Sequence, residues 1–474
     1  MPYVTDNDSK AVRRIAEIEQ ELQEAKAELD QWIRDASTPK NAAEVMSRER
    51  FTKTLTDRIQ ALTSALEMQR ALASATVHEQ ERMLATLAPK RLKDFGYRPV
   101  CIQFLGGVAI SLMARYWCRS AAAQAKGRGW CFGLLVLGVC DRCSPTLASE
   151  VAQLAAALSS FEDAHARLRQ MGVGMSVQRI AKVSYHFAVR ARQQQELAGM
   201  GIEGSLAGKR VVISLDGGRL RIRTNKRGKK TKKGRGRYHT DWREPKLLVV
   251  YVVNEKGRIE REFAPVIDGT LRGPDEIFHL LGLYLAELRI TEAAKILFIA
   301  DGAKWIWTRV APLLERLGIE GRCRELVDFY HVIEHVNKLA ALRTKWKSSE
   351  RKRWVSRQRR RLWRGEVKAF QAEIEKFCRG KTGKDWNRER DYLLRNARAG
   401  RLDFAKARRA KLPMGSGTME SAIRRVVNLR LKGASIFWTE AHAEQMLLLR
   451  TYYKSKRWNV LENKAFATPL ANAA

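Results

Sequence analysis

The chain has little that would place it in a membrane or outside the cell. Its longest apolar run, Phe132 to Cys140, is too short to span a bilayer. The amino terminus has no basic segment followed by an apolar one, the pattern that is typical of a secretion signal. Seven cysteines are an odd number in a chain of 474 residues, which favours a reducing compartment over a disulfide framework. We therefore expect a cytoplasmic protein that does not interact with membranes.

Acidic residues are also scarce. The chain has 51 Asp and Glu against 88 Lys and Arg, and a formal net charge of +37. A polyanionic partner would relieve the self-repulsion of such a surface, so the composition favours a nucleic-acid binder. The length allows roughly two to four domains.

The first part of the chain, residues 1–95, is predicted to be helical. Glycine and proline are almost missing between residues 10 and 95, and apolar residues recur at helical spacing. This pattern indicates two long helices broken near residues 37–40. They would form an antiparallel pair or mediate self-association, and a helical spacer without a partner is the alternative.

Residues 96–143 are predicted to form a small β-rich unit. Within it, Cys140 and Cys143 have the spacing of a zinc knuckle. Cys118 and Cys131 do not supply the second Cys-x-x-Cys that such a site needs, so buried thiols are the alternative. Residues 144–200 indicate three helices that resemble a helix-turn-helix, whose last helix could enter a major groove. Three-helix packing without DNA contact is equally compatible with this pattern.

Two apolar segments further along each end in Asp-Gly. Val211–Leu215 precedes Asp216, and Ile296–Ala300 precedes Asp301. Both segments are predicted to be buried strands. If the strands are neighbours, the two carboxylates meet at one edge of the sheet, where they could hold a divalent metal for phosphate chemistry.

A strongly basic segment follows the first of these acids. Residues 219–237 contain eleven Lys or Arg and no acid, with glycines between them. We interpret the segment as a hairpin or loop that follows DNA phosphates, and a merely solvated loop is the alternative. The residues predicted to contact DNA are Arg219, Arg221, Arg223, Lys229, Lys230, Lys232, Lys233, Arg235, Arg237, Arg424, Arg425 and Arg430.

The element order from residue 207 onward predicts an α/β domain with an all-α insertion. It runs strand-Asp, hairpin, helix, strand-Asp, helix, strand, helical insertion, and then a helix that begins with Glu420, which is the order of a ribonuclease H-like domain. The predicted boundaries are 207–342 for the first part of the catalytic core, 343–411 for the insertion, 412–458 for the last core helices and 459–474 for a tail. The helical, small β and helix-turn-helix-like regions precede this core.

Several motifs in this region carry a family resemblance. They are Ser214-Leu-Asp216-Gly-Gly, Asp241-Trp-Arg-Glu-Pro-Lys246, Ala300-Asp301-Gly-Ala-Lys-Trp-Ile-Trp307, Asp328-Phe-Tyr-His331, Gly415-Ser-Gly-Thr-Met-Glu420-Ser-Ala-Ile-Arg-Arg425 and Val426-Val-Asn-Leu-Arg430. On these motifs, from about Pro145 to Trp458, the chain resembles DDE transposases of bacterial insertion sequences of the ISKra type. It is more distantly similar to the Mutator-like group.

The resemblance implies an enzyme that cuts DNA and joins it elsewhere. Asp216, Asp301 and Glu420 would be its catalytic acids and would hold two Mg²⁺ or Mn²⁺ ions about 4 Å apart. The partners would be double-stranded DNA of the element's terminal inverted repeats and of the target. The protein would act as a homodimer or larger assembly in the DNA complex, and it would associate with the nucleoid when bound.

The same resemblance draws attention to Asp328 and His331. The Mutator-like group has a similar Asp-x-x-His element near its acids, so His331 is expected to contact the scissile phosphate or the leaving oxygen. The strand before Asp328 is expected beside the Asp301 strand. Asp328 as a helix N-cap and His331 as a packing residue are the structural alternative.

Two other functions are compatible with parts of the sequence. His331-Val-Ile-Glu334-His335 matches the His-x-x-Glu-His pattern of one class of zinc peptidases. A peptidase, however, does not explain the net charge or the paired Asp-Gly strands. A DNA-binding repressor with an idle site is the second alternative.

Overall fold

The protein is described by a computed structural model that covers residues 6–35, 37–88, 90–226, 228–230, 232, 234, 236–434 and 436–467. Lys233 and Arg235, two of the predicted DNA contacts, lie outside the described residues. The chain divides into two compact units, Met1–Ala198 with Leu461–Ala474, and Gly199–Val460. Both contain helices and β-sheet, so the fold is mixed α/β. Among these residues, no helix has both the length and the apolar character needed to cross a bilayer.

The first unit begins with the predicted helical pair. Its elements are α1 (Asp6–Arg34), α2 (Ala42–Leu72), α3 (Ala75–Leu87), β1 (Lys93–Gln103), β2 (Ala109–Cys118), α4 (Ala121–Ala125), β3 (Gly129–Trp130), α5 (Phe132–Val136), α6 (Pro145–Ala157), α7 (Phe161–Gln170) and α8 (Val177–Ala198). Helices α1 and α2 run antiparallel, since Trp32 donates to Thr52 and Arg58 pairs with Glu28 at 2.9 Å. Their apolar faces share one core with β1 and β2.

The cysteine pair of the first unit lies on a tight turn. Cys140 and Cys143 exchange backbone hydrogen bonds across Asp141 and Arg142, which both have positive φ. Burial raises the pKa of the Cys140 thiol to about 12 and that of Cys143 to about 11, which keeps both protonated at neutral pH. Arg179 donates to the sulfur of Cys143 at 3.7 Å. No group of three ligating side chains in the described part of the chain includes either thiol, so the zinc hypothesis gains no support.

The second unit contains the acid-bearing strands. Its elements are β4 (Arg210–Gly217), β5 (Leu220–Asn225), β6 (Tyr238–Arg243), β7 (Lys246–Val253), β8 (Val266–Thr270), α9 (Pro274–Glu287), β9 (Lys295–Ala300), α10 (Lys304–Arg316), β10 (Cys323–Val327), α11 (Phe329–Ala341), α12 (Ser348–Arg364), α13 (Val367–Cys378), α14 (Lys384–Arg398), α15 (Phe404–Arg409), α16 (Gly417–Ile423) and α17 (Glu440–Ser455). A π-helical turn, Arg424–Asn428, continues α16. Helix α18 (Trp458–Phe466) begins in this unit and ends in the first.

A five-stranded sheet forms the centre of this unit. Its order is β10-β9-β4-β7-β8. Strand β4 is parallel to β9, and β9 is parallel to β10, whereas β7 is antiparallel to both β4 and β8. Every residue of β7 is buried, and because side chains alternate between faces, both faces of the sheet are covered.

One predicted strand begins later than expected. The sequence predicts a strand over 258–267, directly after the turn at 254–257. The structure has only an isolated bridge between Val253 and Ile259 there, and the strand proper is Val266–Thr270. The physical reason is burial: all five residues of β8 are buried, and the charged segment 258–262 could not occupy such a position without a large desolvation cost.

Candidate active site

The site is built at the carboxyl ends of two neighbouring strands. Leu215 of β4 is in register with Ala300 of β9, so Asp216 and Asp301 follow at the same level of the sheet edge. One oxygen of Asp216 accepts the N–H of Gly217 at 2.6 Å, and one oxygen of Asp301 accepts the N–H of Ala303 at 3.0 Å. These local bonds orient both carboxylates and leave the second oxygen of each available to a ligand.

Burial disfavours the ionised form of both carboxylates. It raises the pKa of Asp216 to about 6, and the charge of Asp301 adds to that rise. Burial likewise raises the pKa of Asp301. His331 acts in the opposite direction on both pKa values, so it lies within electrostatic reach of both acids. A divalent cation would offset the repulsion, and carboxylate oxygens are the ligands that hard cations prefer.

Asp328 connects the sheet to the segment that carries the third acid. As predicted, β10 lies parallel to β9, and its end brings Asp328 to the same edge of the sheet. One carboxylate oxygen of Asp328 caps α11 by accepting the N–H groups of Tyr330 at 2.6 Å and His331 at 3.2 Å. The other accepts the N–H and the hydroxyl of Ser416. Asp328 therefore fixes the start of α11 against the loop that precedes α16.

Glu420 and His331 meet beside this link. A carboxylate oxygen of Asp328, a ring nitrogen of His331 and a carboxylate oxygen of Glu420 all lie within 4.8 Å of one another. Among the described residues, no other group of three His, Cys, Asp or Glu side chains has its ligand atoms this close together. Glu420 is exposed on the first turn of α16, whereas Asp328 is 1% exposed.

The acids and the histidine at this edge are of the types that bind a divalent cation. They differ in how many lone pairs they have free for it. A carboxylate has about four lone-pair positions, and Asp328 already accepts four hydrogen bonds. The oxygens of Asp328 are therefore less available to a cation than those of Asp216, Asp301 and Glu420. The structure brings Asp216 next to Asp301 at the ends of paired strands, and it brings Glu420 close to Asp328 and His331. Within the described residues, the ligand atoms of the three predicted acids do not all lie within 4.8 Å of one another.

The residues of the His-x-x-Glu-His pattern have separate partners, which does not support a zinc-peptidase site. The Nδ1 atom of His335 lies 2.5 Å from a carboxylate oxygen of the buried Glu389. Glu334, the expected general base, is paired with Lys338 on the helix surface at 2.8 Å. His331 and His335 thus face different partners, although they lie one turn apart on α11.

Some residues of this site were not predicted from the sequence. Glu244 raises the pKa of both Asp216 and Asp301. It approaches the backbone so closely that a Cβ on Gly217 would lie 2.0 Å from its carboxylate. Lys246 partly neutralises it at 2.7 Å. Both residues belong to a motif that carried the resemblance, which was the available signal. Ser416 had a weaker signal, since it stands within the glycine-flanked loop before Glu420.

The predicted DNA contacts that belong to the described residues are exposed, half-buried or, for Arg430, buried. The exposed ones lie on the hairpin of β5 and β6 or on the π-helical turn, namely Arg219, Arg223, Lys229, Lys230, Lys232, Arg237 and Arg424. Arg221 and Arg425 are half-buried, and the guanidinium of Arg221 packs over Trp242 and Phe437.

Arg430 departs from the prediction. It is 4% exposed and its guanidinium lies 5.3 Å from the ring centroid of Trp438. The turn that follows the π-helical segment directs it inward, so it is not a surface contact for a phosphate.

The arrangement as a whole places possible cation ligands next to a basic hairpin. Two carboxylates converge from adjacent strands, a third acid and a histidine reach the same edge, and a basic hairpin follows directly in sequence. In comparisons with known proteins, no family model, no curated protein and no solved structure matches this chain, so its function has to be inferred from the chemistry of the site itself.

Proposed function

We propose that this protein is a DDE-type DNA transposase with a ribonuclease H-like catalytic domain. The observation that carries the proposal is the pairing of β4 with β9, which puts Asp216 and Asp301 side by side at one sheet edge. The sheet order supports the same assignment: three antiparallel strands come first in the chain, and two parallel strands extend them at one side. The net charge of +37 supports a nucleic-acid substrate over a small phosphate.

The residues suggest how a phosphodiester would be cut. Divalent cations held by Asp216, Asp301 and Glu420 would supply a Lewis acid and lower the pKa of an attacking water. The attacking oxygen forms a new bond to phosphorus while the bond to the 3′ oxygen breaks, and that leaving oxygen takes up a proton. His331 lies within electrostatic reach of both acids, and it is the group that we expect to contact the leaving oxygen. In the joining step, the released 3′-hydroxyl would attack a phosphate of target DNA in the same way.

The test is cleavage of DNA by the purified protein. The full chain is incubated with DNA that flanks its own gene, in Mg²⁺ or Mn²⁺, and nicks are mapped at single-nucleotide resolution. We expect Asp216→Asn, Asp301→Asn and Glu420→Gln each to lower cleavage by more than about 100-fold, since the loss of a group that only orients a metal ligand already costs 10 to 100-fold. DNA affinity should stay the same or rise, because each change removes a negative charge.

The matched control is Glu255→Gln, which removes an exposed carboxylate from the turn after β7. It should cleave at the wild-type rate. Specific DNA binding without cleavage in either metal would favour the idle repressor. Cleavage of casein that depends on zinc would favour the peptidase.

A further inference from the structure

The hairpin of β5 and β6 has two sides of different character. In this antiparallel pair Ile222 lies opposite Asp241, and Arg221 lies opposite Trp242. Residues that lie opposite each other share one side of a sheet, and neighbours along a strand alternate between the sides. Ile222 is 3% exposed, so its side of the hairpin is turned towards the protein core. The other side, which we call the outer face, carries Arg221 and Trp242.

Aromatic rings and guanidinium groups are interleaved on the outer face. The guanidinium of Arg221 lies 5.8 Å from the ring centroid of Trp242 and 4.6 Å from that of Phe437. The ring centroids of Phe437 and Tyr238 are 5.7 Å apart. At the other end, the guanidinium of Arg219 lies 5.1 Å from the ring centroid of Trp242. These contacts form a continuous row in which each group packs on the next.

The protein holds this row in place. The guanidinium of Arg221 donates to the carbonyl of Gly433, in the segment before α17. The N–H of Trp438, which follows Phe437, donates to the carbonyl of Arg221 at 3.2 Å. The carbonyl of Trp438 accepts the N–H of Arg223 at 2.7 Å. A surface whose side chains are already ordered loses little conformational entropy when it binds a ligand.

Two rings of the row are accessible to a ligand. Trp242 is 47% exposed, and Tyr238 is 45% exposed. Asp241 is the only acid within β5 and β6, all of whose residues are described, and it lies on the opposite side of the hairpin. The outer face therefore combines positive charge with flat apolar rings. It complements a ligand that combines negative charge with flat aromatic groups.

A DNA strand with unpaired bases has both of these properties. Its phosphates are negative, and each base has a flat face that can stack on aromatic rings and guanidinium groups. In a duplex the neighbouring base pairs cover these faces. Strand β5 begins at Leu220, shortly after Asp216, and β6 ends at Arg243, directly before Glu244. The base of the hairpin thus lies close to the acids.

We propose that the outer face of the hairpin binds single-stranded DNA, with Trp242 and Tyr238 stacking on unpaired bases. This role extends the proposed function from the phosphates of the substrate to its bases, and it rests on that function for the choice of DNA as the ligand. The hairpin holds a strand whose bases are unpaired next to the acids.

Binding is measured with the full chain in EDTA, so that no cleavage contributes. The probes are a single strand of about 20 nucleotides without secondary structure and the duplex of the same sequence. Trp242→Leu keeps an apolar side chain without a ring, whereas Trp242→Tyr keeps an aromatic ring. We expect Trp242→Leu to weaken binding of the single strand by about 5 to 50-fold and binding of the duplex by less than about twofold. Trp242→Tyr should stay within about threefold of the wild type for both probes.

The salt dependence and a fluorescent base give two further readouts. The slope of log K against log salt should not change in Trp242→Leu, because tryptophan neutralises no phosphate. A 2-aminopurine base in the single strand should lose fluorescence when it stacks on the wild type, and should lose less on Trp242→Leu. Trp130→Leu is the matched control, since Trp130 of β3 is 48% exposed. It should bind both probes as the wild type does.

Other outcomes would separate this role from the proposed function. Equal losses for the single strand and the duplex, or no loss, would overturn the role of the outer face and leave the proposed cleavage activity standing. Tighter binding of an RNA strand than of the DNA strand would overturn DNA as the ligand. A single-strand affinity that depends on Trp242, found in a wild type that cleaves no DNA in either metal, would support this site and contradict the proposed function.

Discussion

At the scale of single residues, Asp328 and His331 have different surroundings, although one motif predicted a functional role for both. Asp328 is buried and accepts four hydrogen bonds, which join the start of α11 to the loop before Glu420. His331 has a side chain that is 34% exposed, and its Nδ1 atom lies 3.9 Å from a carboxylate oxygen of Glu334. The first residue has the surroundings of a positioning group, and the second those of a group that meets substrate.

Substitution should separate these two roles. His331→Ala truncates a partly exposed side chain, so we expect a melting temperature close to that of the wild type and a loss of cleavage of about 100-fold or more, the usual contribution of a general acid. Asp328→Asn would turn an amide N–H₂ towards either the N–H of Ser416 or those of α11, and should destabilise the second unit by about 1 to 3 kcal/mol. Cleavage rates and thermal unfolding are measured on both variants. Parallel losses of stability and activity in His331→Ala would make that residue structural as well.

At the scale of elements, the hairpin of β5 and β6 has a fixed base and a basic tip. Its base is tied to the chain before α17, because the N–H of Arg223 donates to the carbonyl of Trp438 at 2.7 Å. All of β6 is exposed, including Trp242, over which Arg219 lies at 5.1 Å. The tip contains Lys229, Lys230 and Lys232, all of them exposed. A ribbon of this kind can follow a phosphate backbone without disturbing the central sheet.

Neutralising the tip should change how salt affects DNA binding. For a variant with Lys229, Lys230 and Lys232 replaced by Gln, the slope of log K against log salt should become shallower by about 0.9 for each phosphate that the variant no longer neutralises. The affinity for all DNA sequences should fall together, since phosphates carry no sequence information. Replacing the exposed Lys10, Lys26 and Lys40 of the first unit is the charge-matched control. Equal slopes for the two triple variants would mean that the hairpin is a solvated surface, and the basic helix α12 would then be the next candidate.

At the scale of the whole molecule, we expect cation binding to be coupled to folding of the second unit. A ligand that binds only the folded state stabilises it, by about 2.7 kcal/mol at 100 times its Kd. We therefore expect Mn²⁺ or Mg²⁺ to raise the melting temperature of the wild type and to have much less effect on Asp216→Asn. Chelation with EDTA should reverse the shift. A metal response that survives in Asp216→Asn would move the cation away from this sheet edge.

The same coupling depends on pH with a defined sign. The pKa of Asp216 is about 6 in the metal-free fold, above its ordinary value of 3.8. Its contribution to the stability of the metal-free protein is therefore present below pH 3.8 and lost as pH rises through about 6. A bound cation displaces the proton, so stabilisation by metal should be small at pH 5 and large at pH 7.5, as followed by thermal unfolding. A metal-induced shift independent of pH over this range would contradict Asp216 as a ligand.

The sequence alone determined those features that depend on neighbours along the chain. Apolar segments that end at Asp-Gly identified the two strands and the position of their acids, because a buried strand needs continuous apolar residues and glycine ends it. Helical periodicity identified the helices α1 and α2 in the same way, although it left their antiparallel pairing as one of several alternatives. The excess of basic residues requires no structure to be counted.

Tertiary packing decided the rest, because local patterns carry no information about contacts between distant segments. The sequence pattern predicts a strand that includes the charged residues 258–262. The strand begins instead at Val266, because all positions of β8 are buried. Arg430 looks like a surface cation in sequence, but the turn after the π-helical segment packs it on Trp438. Nothing in the sequence places Tyr392 near Asp301, and only the approach of α14 to Gly302 brings it there. The positions of Asp216 and Asp301 at strand ends could thus be predicted from local sequence. The groups that surround them depend on how the insertion folds against the sheet.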